Sequence, residues 1–205
     1  MLTFDTNNLI PAIVQHARTG EVLMLGYMNE TALKQTCESG LVTFWSRSRQ
    51  ELWTKGATSG HVLRLVTLRQ DCDGDALLVL AEPEGPTCHT GARSCFYRDL
   101  EGGPATSAAP PAAILGRLAD LIQARRATSS DEQSYTARLL NGGVDRIGKK
   151  IGEEAAEVII AAKNGSHTEL SYELADLVYH SLVLLESQNL PVEAVWRELE
   201  RRFQP

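Results

Sequence analysis

Three cysteines stand in surroundings that suit neither a core nor an ordinary surface loop. Cys72 lies in the stretch QDCDGD among Asp71, Asp73 and Asp75, Cys88 lies in PTCHTGA, and Cys95 in ARSCFY. Buried structural cysteines usually sit in apolar runs. Three thiolates can hold Zn²⁺ and leave a fourth position to a water, whose pKa then falls toward neutrality and makes it a nucleophile. The aspartates suit a second, harder ion, because oxygen ligands select Mg²⁺ where sulfur selects Zn²⁺. Alternation along an extended segment would send Cys72 one way and Asp71 and Asp73 the other, joining two metal sites. From spacing alone, a tight Asp-Gly turn with an incidental thiol explains the stretch equally well, because no C-x-x-C pair accompanies it. Cys37 falls in an expected helix and is read as a bystander.

A second set of candidate ligands lies farther along. In GEEAAEVII, Glu153 and Glu157 are four apart, and Glu154 and Glu157 three apart. In SYELADLVYH, Glu173 and Asp176 are three apart. On helices each set shares a face, and like charges at that spacing repel. A hard divalent cation would reverse the sign, drawing carboxylates of two antiparallel helices onto Mg²⁺. A single E-E-x-x-E is also what an ordinary charged helix face looks like. Two sets, with Arg146, Lys149 and Lys150 just upstream, point further, since Mg²⁺ with basic side chains is what a polyphosphate substrate needs.

The elements that must position these groups change character along the chain. Up to about Arg98 the sequence reads as strands and turns, with LVTFWSRS, HVLRLVTLRQ and ALLVLAE as strand-like runs. One helix interrupts them in NETALKQTCESG, capped by Asn29 and stopped by Gly40. EGGPATSAAPPAA, Glu101 to Ala113, has almost nothing to bury and reads as a linker. Beyond it the pattern is helical. AILGRLADLIQARRA brings Ile114, Leu118, Leu121 and Ile122 to helix spacing, and VDRIGKKIGEEAAEVIIAAKNG does the same for Ile147, Ile151, Val158 and Ile159. A third helix is expected over HTELSYELADLVYHSLVLLESQNL, and a fourth, PVEAVWRELERRF, with Pro191 in its first turn. The fold class expected is two domains, α+β: a β-rich domain over 1–100, a linker over 101–113, and an all-α domain over 114–205.

The chain has 205 residues and a net charge of −6, which argues against a surface that coats nucleic acid but not against a local basic pocket. No apolar run suits a membrane span, and no signal peptide is recognisable at the N-terminus. A cytoplasmic location is the expectation, and in a reducing compartment the cysteines read as thiols or metal ligands.

The long motifs carry two resemblances. EVLMLGYMNETAL, TFWSRSRQELWTKGATSGH, DCDGDALL and CHTGARSCF together resemble phosphoribosyl-AMP cyclohydrolase, across nearly all of Leu9 to Tyr97. That resemblance implies Zn²⁺ on Cys72, Cys88 and Cys95, Mg²⁺ on Asp71, Asp73 and Asp75, and a homodimer whose zinc site is assembled between subunits. E-E-x-x-E followed by E-x-x-D resembles the all-α nucleoside-triphosphate pyrophosphatases. The wider stretch SYTARLLNGGVDRIGKKIGEEAAEVIIAAK is similar to phosphoribosyl-ATP pyrophosphohydrolase, across most of Ile114 to Phe203. It implies Mg²⁺ on Glu153, Glu154, Glu157, Glu173 and Asp176, with Glu154 central to catalysis, and phosphates held by Arg138, Arg146, Lys149 and Lys150.

Further roles follow from position inside the matched motifs. Arg47, Arg49, Lys55 and Ser59 lie in polar, glycine-containing stretches suited to phosphate and ribose. His61 and His89 are candidate proton-transfer groups, whereas His16, His167 and His180 have no such context. Trp45 and Trp53 suit adenine stacking or core packing. Ala57 in KGATSGH stands where many relatives of this kind carry glutamate. The two resemblances concern consecutive steps of histidine biosynthesis and imply one bifunctional hydrolase acting on small phosphoribosyl nucleotides. A house-cleaning pyrophosphatase with a zinc-held dimerisation module, or a non-catalytic nucleotide sensor, would each leave one set of motifs without a use.

Overall fold

The structure, a computed structural model, describes residues 1–104, 110–127 and 134–203. The chain divides into two compact units, Met1–Ile114 and Leu115–Pro205.

The first unit is built on a four-stranded sheet. In chain order the strands are β1 (Ile10–His16), β2 (Val22–Met28), β3 (Thr43–Ser46), β4 (Glu51–Thr54), β5 (Leu63–Gln70) and β6 (Leu77–Pro83), with helix α1 (Glu30–Ser39) between β2 and β3. The main sheet has the order β2-β1-β6-β5, and β3 and β4 form a separate hairpin. Only β1 and β6 run parallel, with Val14 opposite Val79; the other pairs are antiparallel.

Alternation makes β1 a half-buried strand: Ile10, Ala12, Val14 and His16 face inward. Ile10, Ala12 and Val14 meet Leu23, Met28, Phe44, Leu63 and Val79 in one core, where each fully buried large side chain contributes ~1.5–3 kcal/mol. His16 is structural, its Nδ1 accepting from the Arg18 amide at 3.2 Å across the β1–β2 turn. Gly26 is required where it stands, because a Cβ there would lie 2.4 Å from the Phe44 ring.

Helix α1 forms as its ends dictate. The Asn29 side chain accepts from the Ala32 amide at 2.8 Å, and Gly40 adopts φ 69 to end the helix. Between β5 and β6 the chain is not extended: residues 71–76 form the loop that joins the two strands. After β6, residues 86–98 fold back over β2. The Cys95 amide donates to the Leu23 carbonyl at 2.8 Å, and the Ser94 hydroxyl to the Val22 carbonyl at 2.7 Å. Arg93 Nε donates to Glu21 Oε2 at 2.8 Å, and Glu21 is only 1% exposed.

The stretch read as a linker starts with structure of its own. A turn over Arg98–Pro104 is closed by a bridge between these residues. Residues 105–109 lie outside the described residues, and α2 begins at Ala113.

The second unit holds α2 (Ala113–Ala127), α3 (Tyr135–Asn141), α4 (Gly143–Asn164), α5 (His167–Ser187) and α6 (Val192–Arg202), and no strand occurs among its described residues. Helices α4 and α5 form a hairpin. Gly165, with φ 68, ends the first, and Ser166 caps the second. Ile122, Leu139, Ile147, Leu182 and Val183 make the core. Three residues expected on buried faces are exposed instead: Ile114 at 60%, Leu121 at 44% and Ile159 at 60%. The short helix α3 was not expected, and Pro191 stands one place outside α6, at its N-cap, with ψ 140. No helix among the described residues is long and apolar enough to cross a membrane.

Candidate active sites

In the first unit a cleft of about 410 Å³ is lined by Trp53, Lys55, Gly56, Ser59, His61, Cys88 and His89, among others. Its floor is set by backbone. Gly56 (φ 85) and Gly85 (φ 135) both press on His61, where a Cβ would come within 2.3 Å of the His61 carbonyl and 2.2 Å of its Nδ1 respectively. The buried Lys55 donates from Nζ to the His61 carbonyl at 3.4 Å, and the His61 amide donates to the Ser59 hydroxyl at 3.3 Å. His61 Nδ1 faces the Glu84 carbonyl at 3.4 Å. Trp53 packs on Phe44, with ring centroids 5.6 Å apart, while also lining the cleft.

Cys88 and Cys95 are close enough to perturb each other. The Thr90 hydroxyl, donating to Cys88 Sγ at 3.1 Å, is the main cause that lowers the Cys88 pKa. Burial, and then the charge of Cys88, pushes Cys95 up to about 11. Without metal this pair therefore favours one thiolate beside one thiol.

Cys72 does not join them. Its Sγ faces Asp73 Oδ1 at 3.9 Å on the β5–β6 loop, and among the described residues no three cysteines converge within one chain. The physical reason is topological. Cys72 precedes β6 and Cys88 follows it, and a seven-residue strand spans roughly 20 Å. The expectation that Cys72 and the aspartates occupy opposite sides of an extended segment is thus corrected: both sit on a loop. Asp71, Asp73 and Asp75 do come together, with carboxylate oxygens within 4.8 Å of one another. The hydrogen bond with Asp71, then the charges of Asp73 and Asp71, raise the Asp75 pKa. Asp71 is lowered, because hydrogen bonds from the Ala76 amide and Asp75 outweigh its desolvation.

Arg47 lies outside this cleft. Its guanidinium stacks 3.9 Å from the Tyr27 ring centre, in a neighbouring cleft of about 320 Å³ that Trp45 also lines. Arg49 is exposed in the β3–β4 turn and ion-paired with Glu51 at 3.1 Å. Neither lines the cleft that holds Lys55.

In the second unit, Glu154, Glu157 and Glu173 bring carboxylate oxygens within 4.8 Å of one another across the α4–α5 hairpin. Glu153 and Asp176 are outside this group, both exposed. Lys150, a candidate for holding phosphates, is ion-paired here: Nζ lies 3.0 Å from Glu154 Oε1 and 3.0 Å from Glu153 Oε2, which raises its pKa. Burial opposes ionisation of Glu154, yet the hydrogen bond and charge of Lys150 hold its pKa below the ordinary range. Desolvation and then the charges of Glu157 and Glu154 raise Glu173. Arg138, Arg146 and Lys149 stay exposed on α3 and α4.

One residue passed over in the sequence stands against this cluster. His180, 3% exposed, places Nδ1 3.7 Å from Glu154 Oε1 and Nε2 3.1 Å from the Tyr135 hydroxyl. Glu173 and His180 are seven apart on α5, two turns along one face, a spacing that the sequence displayed.

A hydrolase with unlike candidate donors, a cysteine pair and an aspartate trio in one domain and a glutamate trio in the other, is the class these domains define. The family model for phosphoribosyl-AMP cyclohydrolase matches residues 24–97, and that for phosphoribosyl-ATP pyrophosphohydrolase matches residues 115–203. The chain is 52% identical to the histidine biosynthesis bifunctional protein HisIE of Halalkalibacterium halodurans, covering 100% of this chain and 96% of the relative. It is 51% identical to the HisIE protein of Salmonella typhimurium, over 97% and 93%, and 49% identical to that of Escherichia coli, again over 97% and 93%. The chain belongs to this family of bifunctional histidine-biosynthesis hydrolases.

Proposed function

We propose a division of labour in which each domain carries out its reaction with the donor set found on it. The helical domain hydrolyses phosphoribosyl-ATP to phosphoribosyl-AMP and pyrophosphate, and the β domain opens the adenine ring of phosphoribosyl-AMP between N1 and C6. The observation that supports the assignment of groups is the cleft joining Lys55, Ser59, His61 and His89 to Cys88.

The donor chemistry fits the metals. Cys88 and Cys95 of one chain, with Cys72 of a second copy, would hold Zn²⁺, and Asp71, Asp73 and Asp75 would hold Mg²⁺. When bound, Zn²⁺ supplies a Lewis acid that makes a water nucleophilic at neutral pH. The protein's own groups do the rest. Lys55 offers a buried cation to the substrate phosphate, and Ser59 a hydroxyl to ribose or phosphate. If His61 donates from Nδ1 to the Glu84 carbonyl, the Nε2 of its neutral ring is left as a proton acceptor. His89 is the second proton-transfer group. Water adds to C6, the N1–C6 bond breaks, and the proton gained by N1 completes the ring opening.

In the helical domain Glu154, Glu157 and Glu173 would hold Mg²⁺, with Glu153 and Asp176 at its margin. Mg²⁺ there supplies charge neutralisation at the α–β phosphate linkage. Arg138, Arg146 and Lys149 would take the phosphates, while Lys150 is spent on orienting Glu153 and Glu154. A homodimer, a cytoplasmic location, and partners limited to small nucleotides complete the proposal.

Subunit mixing tests the shared zinc site. Cys72→Ser and Cys88→Ser proteins should each be inactive in ring opening. Unfolded, mixed and refolded with Zn²⁺, they should recover about a quarter of the sites, because half the dimers are mixed and each rebuilds one site. No recovery from refolded, dimeric mixtures would contradict a zinc site completed across the subunits.

A further inference from the structure

We propose that His180 is a positioning residue of the pyrophosphohydrolase site: its buried ring, set between Tyr135 and Glu154, fixes the orientation of Glu154 in the carboxylate cluster. The inference rests on the reading of Glu154, Glu157 and Glu173 as the cation-binding group.

The ring is 3% exposed, and its Nδ1 has no partner within hydrogen-bonding distance. Burying an unpaired polar atom is costly, and an apolar side chain would fill the space without that cost. Glu154 Oε1 lies 3.7 Å from the unpaired atom. On the other side, Nε2 lies 3.1 Å from the Tyr135 hydroxyl. A tyrosine that donates its proton there makes Nε2 the acceptor and leaves the ring proton on Nδ1, where it points a donor at Glu154. Lys150 Nζ approaches the same oxygen at 3.0 Å. His180 and Lys150 thus approach one oxygen of a carboxylate that also meets Glu173 in the cluster. Three helices meet in this arrangement: α3 supplies Tyr135, α5 His180 and α4 the carboxylate. A group that orients a metal ligand in this way typically changes metal affinity or activity by ~10–100-fold when removed.

The test uses the full-length protein in a D71N/D73N/D75N background, which removes the other carboxylate cluster. Mn²⁺ alone is titrated by electron paramagnetic resonance, the Mg²⁺ concentration for half-maximal pyrophosphate release is measured, and ¹⁵N shifts report the His180 tautomer. H180L should raise both metal constants by ~10–100-fold. H180N, whose amide restores a donor near the Nδ1 position, should recover most of the loss. Y135F should give a smaller loss together with a mixed tautomer signal, and it decides the matter if H180L does not fold. Parent metal constants in H180L and Y135F, or a loss in H180L that H180N does not recover, would overturn the inference. E154Q separates it from the reading beneath: if E154Q keeps Mn²⁺ binding and pyrophosphate release, the cluster is not the cation site at all.

Discussion

The two halves of this protein bring their candidate ligands together by different routes. In the helical half, helix register does the work. Glu154 and Glu157, three apart on α4, share a face, and α5 brings Glu173 to them across the hairpin. In the β half, loops do it. Cys88 and Cys95 lie on a segment held to β2 by backbone bonds and by Arg93 on the buried Glu21, and His61 is held by two close-packed glycines. A carboxylate trio can therefore be complete within one chain, whereas the thiol trio is split by a strand's length, with Cys72 at the far end of β6. The helical trio is completed by two helices of one hairpin, whereas the loops of the β half leave Cys72 apart from Cys88 and Cys95.

The sharpest way to break this comparison is to remove one donor from the helical set. Glu154→Gln should lower pyrophosphate release by at least ~100-fold, a barrier increase of about 2.7 kcal/mol. Ring opening of supplied phosphoribosyl-AMP should be unchanged. A pyrophosphate-release assay on phosphoribosyl-ATP and a ring-opening assay on phosphoribosyl-AMP check this.

Next comes the glycine-held histidine. Gly85→Ala must place a Cβ 2.2 Å from His61 Nδ1 at φ 135, so the loop or the ring has to move. Ring opening should fall ~10–100-fold, with pyrophosphate release retained, as steady-state kinetics on each substrate would reveal. Loss of both activities would mean that the glycine serves the fold of the whole chain.

A smaller effect belongs to the anchor of the cysteine loop. Glu21→Gln removes the buried partner of Arg93 and should cost ~1–3 kcal/mol of stability in the β domain. It should also weaken Zn²⁺ retention against a chelator. Thermal unfolding with zinc release as a second signal distinguishes the two effects.

The mildest perturbation is pH on metal-free protein. Cys88 has a lowered pKa, and Cys95 is pushed up to about 11. A thiol reacts as thiolate, so as pH rises from 7 toward 10 Cys88 should be alkylated first and Cys95 last of the pair. Peptide mass mapping after iodoacetamide reads the order, and equal rates at pH 8 would show that the pair is uncoupled.

The sequence displayed the helical site more fully than the β site, and the reasons are physical. Asn29 and Gly40 marked the ends of α1 because capping is local. The register of Glu154 and Glu157 followed from helix periodicity alone. Periodicity could not tell that Glu153 pairs with Lys150 outside the cluster, since i,i+3 and i,i+4 partners lie on adjoining faces. Nor could it show that α3 brings Tyr135 to His180, because that contact spans 45 residues. Ile159 and Leu121 had the spacing of core residues and are exposed, because apolar spacing does not say which side of a helix has a neighbour. In the β half, Cys72 looked like one of three equivalent thiols. What separates it from the others is the position of β6 between them, a fact of topology that composition and spacing do not carry.

On this reading two independent sites act in series on one chain. The most direct test supplies phosphoribosyl-ATP with Mg²⁺ and Zn²⁺ to the parent protein and to Cys88→Ser, and identifies the products by mass spectrometry. The parent should yield pyrophosphate and the ring-opened formimino nucleotide. The variant should yield the same pyrophosphate while phosphoribosyl-AMP accumulates. A folded Cys88→Ser protein that releases no pyrophosphate, or one that still opens the ring, would contradict the account.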